Sequence, residues 1–428
     1  MNSAAPVFLA LLLICSLPAF TLVAADSTGF HGEQGENQQA TALQQNPSTS
    51  TLSAQEQPTS SPTTAENTTN RLELPEPIRN EHVEYRSGIG MELAQTDTQL
   101  RSDADQYLLV DREFEQADDD AREDMIEHAQ DRLEERVEEL EQRERDAVRE
   151  HADGDRSNTE LIETLFRNTH EAEAIIDGYD ELAERADQVS GYTITNQQDR
   201  ANTVIPELHQ SQLRENMDGA SDGATGSEPS QVQVRTAENG YSLLMIDGDD
   251  VLIETKRFDN RDVDSSDDLQ GESLFDIASE HYPWAAENAG GSRGSQSYTL
   301  AQLYSVEYDI NNNNIEVFFD GGTGDVYHEY QELTLSELPV TEQYEWTSGG
   351  LEMTLNETPL NGPSEITVRE SSSGEPQAAT VSVNGVEVGE GDADDGTLWY
   401  VPSTDEYELS IETSTRSTNT TVSNGSDE

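Results

Sequence analysis

Residues 119–186 read DDAREDMIEHAQDRLEERVEELEQRERDAVREHADGDRSNTELIETLFRNTHEAEAIIDGYDELAERA, and the spacing of their apolar side chains decides how this chain folds. Met125, Ile126, Ala129, Leu133, Val137, Leu140 and Ala147 recur at helical intervals while charged residues fill the other faces. That pattern predicts a helix over about 119–152. Asp153-Gly154-Asp155 is a short turn, and Ser157 with Glu160 forms a capping box that opens the next helix. Leu161, Leu165, Ala172, Ile176, Tyr179, Ala183 and Ala186 line it, mostly in steps of three and four. So short a turn makes the two helices antiparallel neighbours, each roughly 45 Å long at ~1.5 Å per residue.

Toward the N-terminus, Leu93, Leu100, Tyr107 and Phe114 recur every seven residues, which predicts one face of a preceding long helix. Toward the C-terminus, PELHQSQLREN (206–216) reads as a shorter helix with Pro206 in its first turn. Residues 71–217 are therefore expected to form a long-helix bundle or antiparallel coiled coil whose apolar seam is internal packing. Residues 218–230 (DGASDGATGSEPS) read as a linker.

The period then changes to two. Strands are predicted at Gln231 to Arg235, Tyr241 to Ile246 and Val251 to Lys256, followed by a helix in SLFDIASEHYPWAAENAG (273–290) and a Gly-rich loop. A hairpin, Tyr304 to Ile310 and Ile315 to Phe319 about the turn Asn311 to Asn314, and a strand from Val326 to Tyr330 complete a small α+β domain over 231–338. Six short strands with regular turns then predict a small β-sandwich over 345–412. They are Leu351 to Leu355, Ser364 to Arg369, Ala379 to Val383, Val386 to Val388, Leu398 to Val401 and Tyr407 to Ile411. The fold class is multi-domain, α plus α+β plus β. Residues 26–70 and 413–428, rich in Ser, Thr, Gln and Asn, read as a disordered stalk and tail.

Two of these modules carry family resemblances. The helix with Ile277, Ala278 and Pro283, the hairpin, and Asp320-Gly321-Gly322-Thr323-Gly324-Asp325-Val326 resemble a PepSY-type domain, whose turn has the form Asp-x-x-Thr-Gly-x-Val. Gly374, Ala379-Thr380-Val381-Ser382-Val383, Asp394-Asp395-Gly396, Pro402 and Tyr407-Glu408-Leu409 resemble a carboxypeptidase-regulatory-like domain, a prealbumin-like sandwich. The first resemblance implies an extracytoplasmic module that contacts or restrains proteases and other proteins. The second implies an extracellular accessory module, and neither brings catalytic residues. The whole chain resembles secreted haloarchaeal proteins of unknown function.

Charge and composition narrow the function classes. The chain has 428 residues, a formal net charge of −65 and one lysine, Lys256. At ordinary ionic strength such charge opposes compaction, whereas in concentrated salt the Debye length falls to ~3 Å or less and the repulsion is screened. Acid-rich and Lys-poor composition together point to a halophile. No basic stripe is available for a phosphate backbone, so nucleic acid is not expected as a partner. Residues 4–25 (AAPVFLALLLICSLPAFTLVAA) are apolar up to Asp26 and read as a signal peptide ending at Val23-Ala24-Ala25, or as an N-terminal anchor if uncleaved. Membrane contact is expected only through this segment, and the body is expected outside the cell. Asn67, Asn356, Asn419 and Asn424 head glycosylation triplets compatible with that location. Cys15, the one cysteine, lies in the leader, so the mature chain has no disulfide or thiolate chemistry.

The chemical motifs are weak. Gly290-Gly291-Ser292-Arg293-Gly294 fits a nucleophile elbow, but a helix precedes it and a strand follows, the reverse of what that elbow needs. Asp309, Asn311, Asn313 and Asp320 have Ca²⁺-loop spacing without the central Gly or the final Glu, and a hairpin turn is the better reading. Asp392-Ala393-Asp394-Asp395-Gly396 reads as a solvated turn. The eight histidines, 31, 82, 128, 151, 170, 209, 281 and 328, form no close ligand pair. Tyr282, Tyr298 and Tyr304 are core candidates, and Trp284 is either core or an exposed contact residue. No catalytic, cofactor-binding or metal residue is assigned and no cofactor is expected. The expected function is a non-catalytic secreted or envelope protein that binds another envelope protein or a peptide. The alternatives are restraint of a secreted protease through the PepSY-like part and, behind that, a hydrolase using Ser292.

Overall fold

The computed structural model describes residues 61–85, 89–221, 230–403 and 406–423. Its centre is an eight-stranded antiparallel sheet. The strands are β1 (Arg79–Tyr85), β2 (Ser230–Ala237), β3 (Gly240–Asp247), β4 (Asp250–Arg257), β5 (Arg293–Tyr298), β6 (Leu303–Ile310), β7 (Asn313–Asp320) and β8 (Val326–Thr334), in the order β1-β2-β3-β4-β8-β7-β6-β5. Nearly every residue of β4 is buried, because both sheet faces are covered. Alternation then sends neighbours to opposite cores: Leu243, Met245 and Leu252 to one side, Leu244, Val251 and Ile253 to the other.

Five helices cover the first face: α1 (Ile89–Gln106), α2 (Asp119–Ala152), α3 (Asn158–Ala186), α4 (Asn196–Glu207) and α5 (Gln212–Ser221). Asp118 accepts from Ala121 N to cap α2, and Ser157 with Glu160 forms the capping box of α3. Gly154, at φ +84°, lets the chain reverse between them. Away from the sheet, α2 and α3 share a core of Ile126, Ala129, Leu133, Leu140, Ala172, Ile175, Tyr179 and Leu182. Nearer the turn, Ala147, Val148, Leu161, Leu165 and Phe166, joined by Leu213 and Met217 of α5, pack onto Val232, Val234, Tyr241 and Leu243 of the sheet. The hairpin is thus one layer of a helix-on-sheet packing and not a free-standing coiled coil. The boundary expected between 71–217 and 231–338 is crossed by the core and by β1, which pairs with β2.

Three readings of the helical part need correction. Leu100 and Tyr107 are 62% and 54% exposed. The face of α1 that is buried carries Thr98, Ser102 and Gln106 and continues to Val110 and Phe114. Val110 and Phe114 stay on this face because Tyr107–Asp111 form a π-helical segment with more residues per turn. Along α1 the buried side is polar, so the apolar period pointed to the wrong face there, whereas Phe114 is buried as expected; the side chain of Leu93 lies outside the described residues. Second, Pro206 sits in the last turn of α4 and not at the start of a helix. A Thr195/Gln198 capping box opens α4 and Ser211 opens α5, its hydroxyl accepting from Arg214 N at 3.3 Å. Third, the ordered chain begins before residue 71. Thr63 bridges to Arg71, and the Asn70 side chain donates to His281 O at 2.6 Å. The rest of the expected stalk, the leader and most of the 218–230 linker lie outside the described residues.

On the second face lie α6 (Leu274–His281) and α7 (Pro283–Asn288), split at Pro283. Ala278, Tyr282, Ala285 and Leu72 close this core, and Trp284 is partly buried against it. In the turn after β7, Asp320 Oδ1 accepts from Asp262 N, Gly322 N and Thr323 N at 3.0, 3.1 and 3.0 Å, and Gly324 has φ +77°.

The C-terminal part is a β-sandwich of β9 (Glu342–Ser348), β10 (Leu351–Glu357), β11 (Ser364–Glu370), β12 (Thr380–Val383), β13 (Val386–Glu390), β14 (Thr397–Tyr400), β15 (Tyr407–Glu412) and β16 (Ser417–Val422). Its sheets are ordered β14-β11-β10-β9 and β13-β12-β15-β16. Leu351, Met353, Leu355, Ile366 and Val368 face Val381, Val383, Leu409 and Ile411. β9 and β16 extend the expected strand set on either side, and β16 shows that much of the 413–428 tail is paired. Both are outer strands with polar faces, which is why periodicity missed them. Val401 and Trp399 join the core of the eight-stranded sheet, and the Gln233 side chain donates to Pro402 O at 2.9 Å. Arg71 donates to Leu360 O at 2.9 Å. The sandwich is docked on the sheet.

Candidate functional site

The strongest concentration of ionisable side chains lies between the helical layer and the sheet. α2 supplies Glu144, the α4–α5 connection His209 and Ser211, and the first turn of α5 Arg214. β3 supplies Tyr241, β4 Glu254 and Lys256, and β8 His328, all pointing toward the helices. Lys256 Nζ, His209 Nδ1 and Arg214 Nη2 each lie 3.1 Å from a carboxylate oxygen of Glu144. Arg214 also grips Glu254 through Nη2 and Nε at 2.7 and 3.2 Å. Tyr241 Oη and Ser211 Oγ donate to the same carboxylate at 2.6 and 2.5 Å. His328 Nε2, at 3.6 Å from Glu254, is too far for a hydrogen bond. Lys256 Nζ lies 5.4 Å from the centre of the Tyr327 ring.

Ser211 is 9% exposed, and the other side chains of the cluster are between 0 and 4% exposed. Two carboxylates and two permanent cations balance in charge. Burial alone would raise both Glu pKa values, but the surrounding cations hold Glu144 and Glu254 below the ordinary carboxylate range. Burial pushes His209 well below its ordinary value, and His328 in the same direction. The cluster is an internal ionic lattice with neutral imidazoles. A carboxylate held ionised cannot act as a proton donor, and the neutral imidazoles do not reach solvent.

A second buried carboxyl sits on the other face. Glu329 accepts from Leu72 N at 2.9 Å and from Tyr282 Oη, and burial pushes its pKa up to about 7. Open space lies elsewhere. A cleft of about 240 Å³ between α1, α2 and α3 is lined by Asp97, Arg101, Arg132, Arg136, Arg167 and Glu171 among others. None of the buried lattice lines it.

The motifs picked out in the sequence lie apart from this cluster. Ser292 precedes the outer strand β5 and donates to Asp309 Oδ2 at 3.0 Å in an exposed pair. Asn311, at φ +56°, turns the β6–β7 hairpin, and Asn313 bonds Glu337 and Thr334 N. Asp392 and Asp395 accept from Asp394 N and Thr397 N in a surface turn. Among the described residues no group of three or more His, Cys, Asp or Glu could hold a metal ion, and no helix is long and apolar enough to cross a membrane. Two signals for the buried lattice were present in the sequence. Glu144 falls on the seam that continues Leu133, Leu140 and Ala147. Lys256, the single lysine, sits on the same strand face as Leu252.

Comparison with protein families divides the chain in three. A domain of unknown function (DUF7096) matches residues 1–226, a family of unknown function (DUF7094) residues 232–339, and an archaeal fibronectin-III type-like domain residues 342–420. No curated protein and no solved structure matches. The PepSY-like stretch thus falls in DUF7094, and the sandwich read as carboxypeptidase-regulatory-like is matched by a fibronectin-III type. The buried lattice joins the first two matched regions, Glu144, His209, Ser211 and Arg214 coming from one and Tyr241, Glu254, Lys256 and His328 from the other. With more than half its length matched, the chain belongs to the DUF7096 family and is an archaeal protein of mixed α and β structure ending in a fibronectin-III-type β-sandwich.

Proposed function

We propose that this is a non-catalytic protein of the outer face of a halophilic archaeal cell, exported through residues 4–25 and built to bind another envelope protein or a peptide. The observation that carries the reading is the burial of its densest ionisable cluster: Glu144, Glu254, Lys256, His209 and His328 are all 4% exposed or less. Groups of this kind do chemistry only where a substrate reaches them. Here they fasten helices to a sheet. The exterior is carboxylate-rich and carries a docked fibronectin-III-type module. The test is cross-linking of the full chain in intact cells in molar salt, followed by its purification. One defined envelope protein cross-linked in constant ratio is the expected result. A chain found only in the cytosol with residues 1–25 intact, or one that hydrolyses peptide or ester probes, would overturn the reading.

The Asp320-capped turn favours a second reading, in which the PepSY-like part restrains a secreted protease. That part shares its core with the helices, so the whole body is the proper reagent. Addition of the whole body to a halophilic protease without loss of proteolysis removes this reading.

A further inference from the structure

β5 closes one side of the eight-stranded sheet and pairs with β6 alone among the described strands. Arg293, Ser295, Gln296 and Ser297 are exposed along it. The strand lies within residues 288–306, which hold no Asp or Glu, although 88 of the 428 residues are acidic and a run of this length would carry about four. Acids return immediately on both sides, at Glu287 and Glu307. Leu300, in the turn after β5, is 61% exposed. Natural outer strands are usually blunted by charge, because their unpaired N–H and C=O groups recruit another strand. Here β1, β9 and β13 carry glutamates, β14 has four residues, and β16 lies in a shorter acid-free run.

We propose that a second copy of this chain adds antiparallel to the free side of β5, so that the sheet runs on through a two-fold dimer. Two molecules of net charge −65 repel wherever carboxylates face carboxylates, and β5 with its flanking turns is the longest stretch of chain without an acid among the described residues, the nearest carboxylates being those of Glu307 and Asp309 on the inner neighbour β6. A two-fold axis between Ser295 and Gln296 sets Ser295 against Gln296, Gly294 against Ser297 and Arg293 against Tyr298. No like charges meet. Main-chain hydrogen bonds then hold the contact, and these survive high salt better than a contact made of ion pairs.

Sedimentation equilibrium of the full chain in molar KCl tests this. The unaltered protein is expected to be a dimer, and Ser295→Glu/Gln296→Glu, which sets carboxylates face to face, is expected to weaken it at least tenfold with an unchanged far-UV spectrum. Thr418→Glu/Thr420→Glu on β16 and Leu100→Ser/Leu108→Ser, on α1 and the π-helical segment that continues it, are expected to leave the dimer intact. A monomeric unaltered protein, a dimer indifferent to the β5 acids, or one dissociated by either control pair overturns the proposal. Should the acidic variant fail to fold, Ser295→Cys and Gln296→Cys chains in a Cys15→Ser background decide the matter. Their mixture is expected to form the inter-chain disulfide faster than either alone, and no preference for the mixture overturns the proposal.

Discussion

Lys256 is the residue on which the helix–sheet contact turns. A lysine buried at 1% exposure keeps its charge only because Glu144 stands 3.1 Å away, and Glu144 in turn is shared with His209 and Arg214. Lys256→Met is therefore expected to destabilise the fold by ~3 kcal/mol, and addition of Glu144→Gln to recover much of that loss. Urea titration in molar KCl measures both, and a loss below ~1 kcal/mol for the single variant would show that the pair matters little. Glu329 has the opposite sign. Its pKa rises from 4.5 to about 7 on folding, so the folded state holds its proton through that window. The stability this contributes is full below pH 4.5 and is lost as pH rises through about 7. Glu329→Gln is thus expected to be more favourable, relative to the unaltered protein, at pH 8 than at pH 5, by on the order of 1–3 kcal/mol. A difference that does not change with pH would remove this assignment. Glu144, Glu254, His209 and His328, all lowered on folding, lose stability in the other direction, as pH falls.

At the scale of elements, the turn joining β7 to β8 distinguishes two kinds of glycine. A Cβ on Gly322 would lie 1.9 Å from Asp262 O, a backbone atom that cannot swing away. One on Gly324 would meet nothing within 4 Å and would suffer only from φ +77°. Gly322→Ala is expected to cost more than ~3 kcal/mol and Gly324→Ala ~1 kcal/mol, read from thermal melts. Equal losses would mean that the Asp262 loop yields. The same scale shows which patterns in sequence can be trusted. The α2–α3 hairpin was legible because Asp118, Ser157 and Gly154 mark its ends and apolar steps mark its inner face. α1 was misread because its inner face is Thr98, Ser102 and Gln106. Among them Ser102 accepts from Arg136 and donates to Ala174 O, hydrogen bonds rather than apolar contact.

For the whole molecule, the question is how many units unfold. The helices and the eight-stranded sheet share an apolar core and the buried lattice, so they are expected to melt as one. The three tryptophans, Trp284, Trp346 and Trp399, all lie in the strand-rich part, whereas helix dominates the far-UV signal of 89–221. As KCl is lowered from molar to millimolar, tryptophan fluorescence and far-UV circular dichroism are expected to change together, because the charge of −65 is then no longer screened. Helix lost well before fluorescence changes would mean that the layers are independent. No loss of either would sink the salt-adapted reading.

Sequence by itself determined the local matters: where α2, α3 and most strands run, the β-sandwich, the Asp320-capped turn and the absence of cysteine chemistry beyond Cys15. Each depends on neighbours within a few residues, through periodicity, caps and turn geometry. Tertiary structure alone decided that β1 joins β2 across some 150 residues, that the helices lie on the sheet, and that Glu144, Arg214, Glu254 and Lys256 meet. In a chain with 88 acids, Glu144 has its place on the helical seam as a local cue, but nothing local sets Glu254 or Glu329, both fully buried, apart from the acids that face solvent. What separates them is burial, and burial exists only once distant segments have packed.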